Sequence, residues 1–150
     1  MRHTLLLVLL LNTVSMVAQM PADRILGIYR AVSPIDGDTA DIQVSRAADN
    51  TYQGRVVWAS RRTNPDGSVR TDCNNANPAL RSRRYDQVIL CWDLRYKDGE
   101  WVKGKLYEPT TGKTFSVKMK LAANGRDLEA RYYKGVPAVG ISCTWQRQND

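Results

Sequence analysis

Arginine offers the most chemistry in this chain. Arg55, Arg61, Arg62, Arg70, Arg81, Arg83 and Arg84 fall in or beside one polar stretch, residues 60–86, with Asp66 and Asp72 as the acids between its ends. A guanidinium is always charged and presents a fork that matches a carboxylate or phosphate. The chemistry this cluster suggests is therefore recognition of an anion. Inside the same stretch, Asp72-Cys73-Asn74-Asn75-Ala76-Asn77 gathers several oxygen ligands of the kind calcium takes. It lacks the alternation and closing glutamate of an EF-hand loop, and Asn and Asp also gather in loops because they satisfy local backbone groups. No aromatic platform interleaves the arginines, which speaks against nucleic acid as the partner.

Acid–base and nucleophilic chemistry are poorly provided for. The one histidine, His3, lies in residues 1–19, which read as a secretory signal peptide. Arg2 and His3 form a charged start, 5–11 is an apolar run, and a cut is expected after Ala18 or Gln19. Residues 20–150 would then contain no imidazole, and so would lack the commonest general base and metal ligand. No Ser-x-x-Lys occurs, and Ser116 and Lys118 share a strand face without further support. Asp93, Glu100 and Glu108 could supply a carboxylate pair, but they lie near strand ends, where solvated acids are ordinary. Cys73, Cys91 and Cys143 have no Cys-x-x-Cys spacing, so zinc is disfavoured; one disulfide with a leftover thiol, or no disulfide, both remain open. No catalytic residue, metal or cofactor is assigned. An enzyme built on this chain would have to rely on a carboxylate or a tyrosine.

The elements that must position these residues are strands. Removing 1–19 leaves about 131 residues, enough for one domain with one core, and a balance of 21 basic to 15 acidic side chains that favours anionic partners. Beyond the apolar run no stretch keeps helical spacing over three turns, and none is long enough to span a membrane as a helix. Phe115, Val117, Met119 and Leu121 alternate with Ser116, Lys118 and Lys120, a period of two that sets one face on a core and the other in water. Patterns of this kind predict strands over 25–32, 40–46, 52–59, 87–96, 100–107, 113–122, 127–134 and 140–147, with turn residues such as Lys97-Asp98-Gly99 and Asn124-Gly125 between them. Eight short antiparallel strands with tight connections fit an all-β, up-and-down barrel, which leaves no free edge. Lys118, Lys120, Glu129 and Arg131 on the outer face exclude a membrane barrel.

Two details refine this reading. Tyr52-Gln53-Gly54-Arg55-Val56-Val57-Trp58 echoes Trp101-Val102-Lys103-Gly104-Lys105-Leu106-Tyr107, so Gly54 and Gly104 are expected to kink equivalent strands. The stretch 60–86 is too long for a simple turn and is expected to lid one end. Asn77-Pro78 reads as an N-cap with proline at the first helical position, predicting a short helix over 79–84. Leu90, Trp92, Leu106, Phe115, Val117, Met119 and Tyr132 are the expected interior.

Five blocks, in order, resemble an exported bacterial family known as domain of unknown function 2147: Asp23–Tyr29, Gly54–Trp58, Asp72 through Asn77-Pro78 to Arg83, Tyr107-Glu108-Pro109 with Gly112–Phe115, and Gly140 to Thr144-Trp145-Gln146-Arg147. The resemblance covers nearly all of 20–150 and implies a secreted or periplasmic barrel of lipocalin-like shape, with no established activity. Tyr29 stands where the family usually has tryptophan, Glu108 where aspartate is usual, and Ala79 where an acid is common. By likeness to lipocalins, Gly27-x-Tyr29 and Arg147 are expected to close the barrel floor by a cation–π contact.

The leading expectation is an exported small-ligand-binding barrel, holding an amphiphilic or anionic ligand at its open end. Arg81, Arg83, Asp72, Asn77, Trp58 and Tyr107 are the candidate ligand-binding residues, with Arg81 and Arg83 pairing the ligand's charge. The alternative is a filled barrel whose basic loop docks on an acidic envelope component.

Overall fold

A computed structural model describes residues Met20 to Asn149; the expected signal peptide over 1–19 lies outside the described residues. Eight antiparallel strands form a closed barrel in chain order: β1 (Gly27–Val32), β2 (Thr39–Arg46), β3 (Tyr52–Ala59), β4 (Ile89–Lys97), β5 (Glu100–Glu108), β6 (Lys113–Leu121), β7 (Leu128–Tyr133) and β8 (Gly140–Arg147). Every expected strand is present, with its ends moved by two residues at most. The connections 33–38, 60–88, 109–112 and 134–139 lie at one end, here the mouth, and those at 47–51, 98–99 and 122–127 at the other, the floor. Among the described residues no helix is long and apolar enough to cross a membrane.

The floor is closed by the segment that precedes β1. A 3₁₀ turn at Pro21–Ile25 brings Ile25 to complete burial. The indole N–H of Trp101 donates to the Ala22 carbonyl at 3.0 Å, and the Tyr52 hydroxyl donates to Asp23 Oδ1 at 2.7 Å, where Arg46 also pairs. The guanidinium of Arg147 stacks 4.7 Å from the Tyr29 ring centroid, a contact worth about 0.5–2 kcal/mol. It also donates to the carbonyls of Leu26 (2.8 Å), Arg24 (2.7 Å) and Arg126 (3.0 Å) and to the Tyr29 hydroxyl. That hydroxyl in turn donates to the Ile25 carbonyl at 2.9 Å, so it accepts and donates at once, which the donor-only N–H of a tryptophan could not do.

The two echoed strands play equivalent parts. Tyr52 and Trp101 begin them and both fasten the floor segment. A Cβ on Gly54 would lie 2.8 Å from Cys91 Sγ, and one on Gly104 would lie 2.8 Å from Val117 Cγ1, so both strands pass too close to their neighbours for a side chain. The strand register shifts beside each glycine, as expected of a small barrel closing on itself.

Inside, Leu90, Leu106, Val117, Met119 and Tyr132 meet as expected, and Phe115 reaches the rim. Trp92 does not join them. Cys91 takes the inward position against Gly54, and the period of two turns its neighbour Trp92 to the outer wall. The packed interior leaves a void of about 50 Å³, bounded above by Tyr85, with Arg70 stacked 3.8 Å over the Tyr85 ring. All three thiols are free: Cys73 is exposed on the connection, Cys91 is buried, and Cys143 is half-buried.

The connection 60–88 carries no α-helix. The helix expected over 79–84 is reduced to a single 3₁₀ turn at Pro78–Leu80, capped by Asn77, whose side chain accepts from the Ala79 N–H at 3.1 Å. Arg84 is already extended, because burial of Tyr85 in the second 3₁₀ turn, Tyr85–Gln87, draws the chain back onto the barrel.

Gly27 has φ +150°, and a Cβ there would run into the Arg147 guanidinium. Gly27→Ala is expected to cost of order 1–3 kcal/mol in urea unfolding with an unchanged slope; a midpoint equal to that of the parent would show that the floor tolerates a side chain. Burial holds the Tyr29 and Tyr85 hydroxyls up to about 12 and that of Tyr132 well above its ordinary value. Folded-state values above the unfolded ones mean stability that is complete below about pH 10 and lost as pH rises beyond it, by up to about 1.4 kcal/mol per pH unit for each tyrosine. Melting temperatures measured from about pH 8 to about pH 11 should therefore fall only in the upper part of that range. A flat profile would show these phenols titrating as freely as in an unfolded chain.

Candidate functional site

The connection 60–88 does not lie across the mouth alone; it hangs down the outer wall of β3 to β6. Ion pairs stitch its upper part to the neighbouring mouth loop. Asp38, 7% exposed, receives Arg61 and Arg70 at 2.6 Å each, and Asp36 accepts from the Thr110 hydroxyl at 2.7 Å. Lower down, Asn74 donates to the Thr110 carbonyl at 2.8 Å, an approach that Gly112 permits because a Cβ there would strike the Asn74 carbonyl. Asp72 is fully buried beneath this drape. Its Oδ1 accepts from the Tyr107 hydroxyl at 2.6 Å, and its Oδ2 accepts from Asn75 at 2.8 Å and, more loosely, from Arg83 at 3.4 Å. Burial and this carboxylate raise the Tyr107 hydroxyl well above its ordinary range, so it remains a donor.

Of the six candidate residues, the fold brings three together. Asp72, Arg83 and Tyr107 form one cluster, and Arg83 and Tyr107 line a groove of about 680 Å³ between the drape and the outer wall. Arg81 donates to the Asn75 carbonyl at 2.7 Å and Asn77 caps its turn; neither lines the groove. Trp58 stands elsewhere on the outer wall, where Arg30 stacks 5.2 Å over its ring while gripping Asp41 through two bonds. The expectation that Arg81 and Arg83 face the open end therefore gives way to a position on the outside, because Asp72 pins the drape to the outward-pointing Tyr107. The basic cluster is also less free than its sequence suggests. Arg61, Arg70, Arg83 and Arg84 each face an acid, and Arg55 and Arg62 alone of the seven lack an ion pair or side-chain hydrogen bond among the described residues. The side-chain oxygens of Asp72, Asn75 and Asn77 are likewise committed to local bonds, and among the described residues no three His, Cys, Asp or Glu side chains gather as metal ligands do.

A second cleft, about 200 Å³, opens at the mouth between the loop 33–38 and the β7–β8 hairpin. Its exposed lining is nearly all apolar, from Ile35, Leu106, Phe115, Tyr132, Val139 and Ile141; Glu108 also borders it, its carboxylate accepting from the Thr110 N–H at 3.0 Å. Val139 is 70% exposed and Ile141 53%, although both are large aliphatics. Lys134 stands at the rim, its ammonium 5.1 Å from the Phe115 ring centroid. The cleft shares Leu106 and Tyr132 with the inner void, and β1 pairs with β8 only at Tyr29↔Arg147 and Arg30↔Gln146, so the seam beside it is unzipped above those pairs. Sequence reasoning missed Ile35, Val139 and Ile141. Their signal was an apolar turn, Val136-Pro137-Ala138-Val139, where turn residues are ordinarily polar.

No curated protein matches the chain. Among solved structures, protein HP1028 from Helicobacter pylori, described as belonging to the lipocalin family, is similar at 27% sequence identity and a TM-score of 0.67, over 83% of each chain. Residues 27–147 match the family model described as an uncharacterized protein conserved in bacteria, and the chain accordingly belongs to that family, DUF2147.

Proposed function

We propose that this barrel binds a small amphiphilic ligand at its mouth, with the ligand's apolar part in the cleft beside Ile141 and an anionic head toward Lys134. The observation that carries the reading is the gathering of water-exposed aliphatics, Ile35, Val139 and Ile141, around one apolar cleft at the open end of a lipocalin-like barrel. Soluble proteins keep such patches small unless something covers them. The cleft is smaller than the roughly 300–1,000 Å³ of pockets that enclose drug-sized molecules, so it suits one aliphatic segment held at the entrance, the interior being filled. The signal-like composition of residues 1–19 supports a setting outside the cytoplasm for this activity. The alternative, docking through the basic connection, is disfavoured by the acids that already face most of its arginines.

Isothermal titration of residues 20–150 with decanoate tests the reading. One equivalent is expected to bind, Ile141→Asp to weaken binding at least about tenfold, or about 1.4 kcal/mol, and Lys134→Ala to weaken it less. Failure of decanoate to bind, or equal binding by the Ile141→Asp chain, would remove the proposal.

A further inference from the structure

The mouth leaves unexplained an arginine whose hydrogen bonding is incomplete. The Nε of Arg83 is buried and has no hydrogen-bond partner, and its one side-chain bond, from Nη2 to Asp72, is long at 3.4 Å. Asp72 does not need it more closely, since Tyr107 and Asn75 already satisfy that carboxylate at 2.6 and 2.8 Å. A guanidinium carries five donors, and burying one without an acceptor costs about 1–3 kcal/mol, more for a charged group. Native structures seldom retain such a deficit without a reason. Arg83 lines the outer-wall groove of about 680 Å³, a volume within the range of small-molecule sites. The groove combines two kinds of wall. Leu80, Ile89 and the half-buried Trp92 are apolar, while Gln53 on β3 adds an amide beside Arg83. Asn75, whose amide already donates to Asp72, and the carboxylates of Asp49 and Asp93 complete the polar wall, so Arg83 is the one cation of the lining and fixes where an anion can sit.

We infer that the groove between the drape and the outer wall is a second ligand site, independent of the mouth, for a small organic anion: a carboxylate or phosphate at Arg83 and a flat apolar body against Trp92. The anion supplies acceptors on the groove side of a guanidinium already held by Asp72, and a small turn of the Arg83 side chain would bring its buried Nε to them as well. The aromatic face of Trp92 suits a planar body, whose stacking adds to its burial. No rearrangement of the barrel is needed, because the groove is already open to solvent. This site lies on the outside of the wall and shares no lining residue with the mouth cleft.

The experiment is isothermal titration of residues 20–150 with 2-naphthoate and 2-naphthyl phosphate, with 2-naphthol as the uncharged control. Arg83→Lys keeps the charge facing Asp72 but removes the fork. Gln53→Glu sets a carboxylate on the groove wall at an outward strand position, with nothing to disturb in the core. The expected result is one equivalent of either anion, little or no binding of 2-naphthol, and at least a tenfold loss of affinity in each variant. Comparable binding of 2-naphthol would overturn the anion site. So would equal affinity in the Gln53→Glu chain, or a loss of naphthoate binding in the Ile141→Asp chain in place of these two, which would put the anion at the mouth.

Discussion

One stacked arginine holds this barrel shut. Arg147, at the end of β8, reaches across the floor to the Tyr29 ring and to three backbone carbonyls, and Gly27 lacks a side chain because that guanidinium occupies the space. Charge-assisted donation to otherwise idle carbonyls at the start of β1 couples the cation–π contact to backbone accounting. The same corner receives Trp101 and Tyr52 through the floor segment, so strands β3 and β5 are anchored to it as well. With the floor fixed, the seam between β1 and β8 needs only two residue pairs, and the mouth is free to differ in shape from an ideal closed ring.

The second constraint is electrostatic and acts at the other end. Asp36, Asp38 and Asp72, none on a regular strand, draw in Arg70, Arg61 and Arg83 and so determine where the long connection runs. Arg70 is used twice, since it also covers the Tyr85 ring that fills the top of the interior. A barrel filled in this way presents its concave surfaces at the rim and on the outer wall, where the connection overhangs.

Much of this fold is legible in the sequence because strand alternation is a local property. The Val117/Met119 face and the glycine at the centre of each echoed strand report their environment within a few residues. The floor contact was legible by resemblance, and tyrosine at position 29 acquires a reason only in three dimensions, from a hydroxyl that accepts from Arg147 while donating to the Ile25 carbonyl. What could not be read was set by partners far away in the chain. Tyr107 and Asp72 meet 35 residues apart and Thr110 and Asp36 meet 74 apart, so neither the path of the connection nor the neutralisation of its arginines has a local signature. Trp58 and Trp92 show the same limit. Both are outward tryptophans on adjacent strands, yet only the one beneath the drape faces a groove.

The separation in sequence at the floor bears on how the barrel comes together. Arg147 and Tyr29 are 118 residues apart, whereas every other strand pairs with its successor through a connection that is local or nearly so. A meander of neighbouring hairpins can grow piece by piece, but the ring cannot be completed before residue 147 has been made. Closure also bears the largest loop entropy of any contact in the chain. Until then β1 and β8 are ordinary sheet edges with unpaired amides. A chain emerging slowly therefore exposes two adhesive borders, and the last basic side chain of β8 acts as the clasp that removes them.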